Sequence, residues 1–141
     1  MLRLPVAALI IACIATSALA QEREPDERQR LLDLAYTLGE SHVLRQTCEG
    51  LNDQFWRSRM VRMTEVEQAD QGFDAQMRER FNTGFAARQG EFPLCDEASR
   101  KAEQQTARKG QALALKLSQS IRTVRRGETA PDSVAEVAAP R

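Results

Sequence analysis

Histidine is almost missing from this chain. There is one, His42, alongside one tryptophan, one tyrosine and five phenylalanines. A single imidazole excludes every site that needs two, the His-Glu-x-x-His zinc motif among them, and neither a Cys-x-x-Cys pair nor a glycine-rich phosphate loop occurs. An excess of charge is missing too. The 20 Lys+Arg are balanced by 20 Asp+Glu, which argues against a nucleic-acid or polyanion binder, since such proteins normally carry a basic surplus. Strand signals are lacking: there are no alternating β-branched runs and no Asn-Gly or Asp-Gly turns. What is present is Ala, Leu, Gln, Glu and Arg, all good helix formers. The composition predicts an all-α protein.

The start of the chain reads differently from the rest. Met1-Leu2-Arg3 is a short basic head, Leu4 to Leu19 carries no charge, and Ala18-Leu19-Ala20 precedes the polar Gln21-Glu22-Arg23. These are the parts of a secretory signal peptide spanning residues 1–20, cleaved after Ala20. The apolar run is shorter than the roughly 20 residues of a membrane span, and Pro5 interrupts its start. Ile10-Ile11-Ala12-Cys13 offers a lipoprotein alternative, but the run stays apolar past Cys13, where a lipoprotein would turn polar. The expected location is the periplasm. Cleavage leaves 121 residues with a net charge of −1, enough for one domain. It also leaves two cysteines, Cys48 and Cys95. An even pair in an oxidising compartment reads as a disulfide.

Four helical patterns follow. The first runs from about Asp26 to Glu49, with Pro25 at its start and Gly50 at its stop. Leu31, Ala35, Leu38, His42, Arg45 and Glu49 trace one seam at steps of four and three, apolar for two turns and then polar. A second helix starts near Asn52 or Asp53 and fades by Gln68, with Phe55, Trp56, Met60 and Met63 as its stripe. Gln71-Gly72 reads as the next turn, and a third helix covers Asp74 to Gln89 with Met77, Phe81 and Phe85 on one side. The fourth runs from Cys95-Asp96 to Arg126, with Leu113, Leu117, Ile121 and Val124 in register. The helical domain thus spans 26–126, and the Ala/Pro/Glu-rich residues 127–141 read as a disordered tail. In an antiparallel up-down-up-down four-helix bundle, the end of helix one and the start of helix four share a pole. That brings Cys48 to Cys95 at the separation a disulfide requires.

Charge divides along the chain. Asp26 to Phe92 holds nine Arg and no Lys against twelve acids, whereas Asp96 to Arg126 holds eight Lys+Arg against three. The fourth helix is therefore expected to neutralise its neighbours. A basic face for anionic lipid or an acidic partner is the sharper alternative.

Gly39-x-x-His42-x-Leu44-Arg45-x-x-Cys48, Trp56-Arg57-x-x-Met60, Phe81-Asn82-x-Gly84-Phe85 and the later Cys95 together resemble a family of small exported alphaproteobacterial proteins. The resemblance spans about residues 30–125. It departs at Val43, where an aromatic is expected, and at Lys109, where an acid is expected before Gly110. It implies a periplasmic helical domain without an assigned activity.

Chemistry has little to build on. Ser41 adjoins His42 but points about 100° away on a helix, a poor partner for a catalytic triad, and paired cysteines are not nucleophiles. Met60 and Met63, with His42 or Met77, could offer soft ligands to Cu(I), yet methionine beside Phe55 and Trp56 at helical spacing is ordinary core filler. No catalytic residue, metal ligand or cofactor is assigned. The candidate binding residues are His42, Arg45, Trp56 and Arg57. The leading expectation is a non-catalytic interaction protein with a periplasmic protein partner; a small ligand-binding protein or enzyme with a His42/Arg45 cleft is the alternative. Arg45, one turn before Cys48, is expected to pair with Asp96 or Glu97.

Overall fold

The computed structural model describes residues 23–128, with side chains to residue 120. The segment expected to be a signal peptide, residues 1–20, lies outside the described residues. Four helices follow one another: α1 Pro25–Glu49, α2 Phe55–Glu67, α3 Gln71–Glu91 and α4 Glu97–Glu128. There is no strand among the described residues. The boundaries move where side chains cap the helices. Asp53 accepts the Phe55 N–H at 3.1 Å, so α2 begins at Phe55 rather than at Asn52 or Asp53. Asp70 accepts the Phe73 N–H at 2.9 Å, so α3 starts at Gln71 and takes in Gly72, where a turn was expected. Gly90 likewise lies inside the last turn of α3. At the far end α4 carries on through Gly127 to Glu128, two residues beyond the expected stop; residues 129–141 lie outside the described residues.

The helices form a bundle around α1. The first helix packs against all three others, α2 and α3 touch lightly, and among the described residues no Cα of α4 comes within 8 Å of α2 or α3. Every residue from Thr37 to Leu44 is buried. A helix enclosed all round is usually apolar all round; this one carries Thr37, Glu40, Ser41 and His42 inside, Thr37 bonded to the Asp33 carbonyl of its own helix and Glu40 paired with neighbouring helices. The apolar core is Leu31, Ala35 and Leu38 of α1, Met60 of α2, Phe73, Met77 and Phe81 of α3, and Leu117 of α4.

Two glycines set the tightest contact. A Cβ on Gly39 would lie 1.9 Å from the Phe81 carbonyl oxygen, and one on Gly84 would lie 2.1 Å from that of Tyr36. The α1 and α3 backbones therefore touch directly, which only residues without a side chain allow. These glycines come from two separate motifs of the sequence. Arg28 stacks on Phe73 near the start of both helices, while Arg88 pairs with Glu40 towards their ends, so α1 and α3 run parallel. Arg45–Glu103 and Glu40–Lys109 contacts show that α4 runs antiparallel to α1.

Candidate functional site

The pole where α1 ends and α4 begins is closed covalently. Cys48 and Cys95 form a disulfide with Cα atoms 4.9 Å apart. Beside it the start of α4 is capped reciprocally: Asp96 Oδ1 accepts the Ser99 N–H at 2.8 Å and Ser99 Oγ accepts the Asp96 N–H at 2.9 Å. Ser99 is fully buried, and its Oγ lies 3.8 Å from Cys48 Sγ.

His42 and Arg45 lie just beneath this pole, and their roles differ. His42 is 3% exposed, with Phe81 and Phe85 rings at 5.7 and 5.8 Å. Its Nδ1 has no hydrogen-bond partner among the described residues. Burial, helped by the Arg57 guanidinium and opposed by Asp53, lowers its pKa below the ordinary 6.5. Arg45 is half-buried and engaged. Its Nε donates to Asp53 Oδ2 at 2.9 Å, its Nη1 lies 3.9 Å from Glu103, and its guanidinium lies over the Phe55 ring at 4.8 Å. The expected pairing of Arg45 with Asp96 or Glu97 is thus corrected. Asp96 is spent on capping α4, and the antiparallel register sets Arg45 beside the second turn of that helix. Burial works against the Asp53 carboxylate, but the Phe55 N–H and Arg45 outweigh it and hold its pKa below the ordinary value.

The sequence did not single out Glu40. Its side chain is 5% exposed, Oε1 accepts from Arg88 Nε at 2.9 Å, and Oε2 stands 3.7 Å from Lys109 Nζ. One carboxylate thus ties α1 to both α3 and α4. Desolvation pulls the Arg88 pKa down, but Glu91 and Glu40 overcome it and raise it. Lys109, a departure from the resemblance, is the residue that reaches Glu40 from α4. The signal available in the sequence was Glu40's place within the motif stretch Gly39–Cys48, on the far side from the Leu31–Leu38 seam.

Trp56 and Arg57 differ in surroundings. Arg57 is exposed on the first turn of α2, while Trp56 is half-buried against the core. Trp56 does not join His42 in a common cleft; it lines a groove on another side. The backbones of α2 and α4 stand apart, and a groove runs between them above the buried face of α1. Leu34, Thr37, Leu38 and Ser41 form the floor, Trp56, Arg59 and Met63 one wall, and Ala107, Gly110, Gln111 and Ala114 the other. The groove is half-open, with a volume of about 310 Å³. Met60 and Met77 are buried in the apolar core with Leu31 and Phe73. Among the described residues no group of three His, Cys, Asp or Glu could hold a metal ion, and no helix is long and apolar enough to cross a membrane.

Fold and pole define a class: an all-α bundle closed by one disulfide, with several polar residues buried on its central helix. Within that class the chain belongs to a family described as protein of unknown function (DUF2385), whose profile matches residues 26–121. No curated protein and no solved structure matches it.

Proposed function

We propose that the protein is a non-catalytic interaction protein of the periplasm, an accessory or adaptor subunit that meets a protein partner through the disulfide pole. The observation that carries this reading is the apolar surface on the two loops there. Leu51, three residues after Cys48, is 81% exposed, and Leu94, the neighbour of Cys95, is 72% exposed. Phe55 at the start of α2 is 41% exposed, and Arg57 follows on the same turn. Large aliphatic side chains on loops held by a covalent bond form a preorganised contact, which lowers the ordering cost of association. The partner surface would be apolar with an acidic rim to meet Arg57. The alternative, a ligand site or enzyme built on His42 and Arg45, has less support: His42 is enclosed and Arg45 already holds Asp53 and Glu103.

Cross-linking the mature, disulfide-intact protein in its own compartment should give one stoichiometric partner. Leu51→Asp with Leu94→Asp should lose it at an unchanged melting temperature. Recovery of the partner in undiminished yield would remove the pole from the interaction. The same preparation tests export, since its intact mass should begin at Gln21; a lipid on Cys13 would place the protein at a membrane face instead.

A further inference from the structure

We propose that the groove between α2 and α4 is a binding site for a small amphipathic carboxylate of the medium-chain fatty-acid class, its chain along α1 and its head on Arg59. This site lies between α2 and α4 and adjoins the pole at Phe55, whose ring carries Arg59. Of the residues lining the groove, Arg59 alone carries charge. Some arginines of the bundle are matched with acids, as Arg23 is with Glu67, Arg45 with Asp53 and Arg88 with Glu40; Arg59, like its neighbours Arg57 and Arg62, is not. Its guanidinium lies 3.6 Å over the Phe55 ring and 5.3 Å from Trp56, and its one hydrogen bond goes to the Phe55 carbonyl at 3.4 Å. No carboxylate among the described residues pairs with it. Arg59 is an exposed residue held over a ring, and its donors beyond the one given to the Phe55 carbonyl can receive a carboxylate.

The remainder of the groove suits a hydrocarbon body. Ala107, Gly110 and Ala114 keep the α4 wall low, and a Cβ built on Gly110 would only reach ordinary contact with Thr37, at 3.4 Å. The size suits a small molecule. The volume of about 310 Å³ falls at the lower end of the roughly 300–1,000 Å³ of ligand pockets. A single anionic head on an apolar chain meets the one cation and the uncharged walls together.

Trp56 is the only tryptophan of the chain and lines the groove, so its fluorescence reports occupancy directly. The mature protein should be titrated with decanoate and, separately, with decanol. The expected result is a saturable change with decanoate and binding at least about tenfold weaker with decanol, the lower bound for a charge-assisted hydrogen bond. Arg59→Gln should weaken decanoate by the same factor and leave decanol unchanged, as judged from the midpoint rather than the amplitude. Ala114→Leu, which fills the groove from an exposed wall position, should abolish both at an unchanged melting temperature. Absence of a saturable response to decanoate overturns the proposal. So does an Arg59→Gln protein that binds decanoate as the parent does, or an Ala114→Leu protein that still binds it.

Discussion

At the scale of single residues, His42 sets enclosure against ionisation. Its pKa is lowered, by burial first and by Arg57 second, so the unfolded chain takes up a proton at higher pH than the folded one. The contribution to stability is therefore complete above about pH 6.5 and is lost as pH falls from there through the folded value. Asp53 answers to lower pH, because its own pKa lies below the ordinary 3.8. Chemical denaturation across mildly acidic pH should show stability falling in the parent and a flatter profile in His42→Gln. An identical slope in both would mean that the imidazole stays accessible. His42 and Arg45 were legible as a polar end to an apolar seam, and Cys48 with Cys95 as a bond. The reason for Gly39 and Gly84 was not, because a glycine required by a backbone on another helix looks, in sequence, like one that could be alanine. Glu40 was hidden for a related cause: a carboxylate on a helix is usually solvated, and only its two cationic partners, 48 and 69 residues away, make it internal.

At the scale of elements, α4 is the exception. Its backbone comes close to that of α1 and, among the described residues, to that of no other helix. Its anchors are the disulfide, Leu117 in the core, and the pairs Arg45–Glu103 and Glu40–Lys109. The bond joins residues 47 apart, and closing a loop of that length stabilises the fold by about 4 kcal/mol in the chain-entropy model. Reduction, or Cys95→Ser, should lower the melting midpoint by about 10 °C or more. Hydrogen exchange should then quicken in α4 before it does in α1 and α3; uniform quickening would mean that the helices open as one unit. Helix type was readable throughout from spacing and composition. The ends were less so: Gly72 and Gly90 read as breaks, yet a glycine within a terminal turn costs only about 1 kcal/mol, and the Asp70 cap and the α1 contacts outweigh that.

For the molecule as a whole, the enclosure of Thr37–Leu44 has a kinetic meaning. Helical bundles generally fold fast because neighbours in the chain are neighbours in space, so short loops close early. Here α2 and α3 share few contacts and α3 and α4 share none, while the broadest interface joins α1 to α3 across the whole of α2. Successive hairpins cannot be zipped together, and the rate-limiting encounter must bring Gly39 to Gly84 at long sequence separation. Stopped-flow refolding should be slow for an all-α chain of this size. Phe81→Leu at the α1–α3 crossing should mainly slow folding, and Leu117→Ala on α4 should mainly speed unfolding. The reverse partition would place α4 in the nucleus. A chain that must wait for its first helix to find its third spends longer with apolar surface uncovered, which makes the period between synthesis and burial the interval in which this protein is most exposed to aggregation.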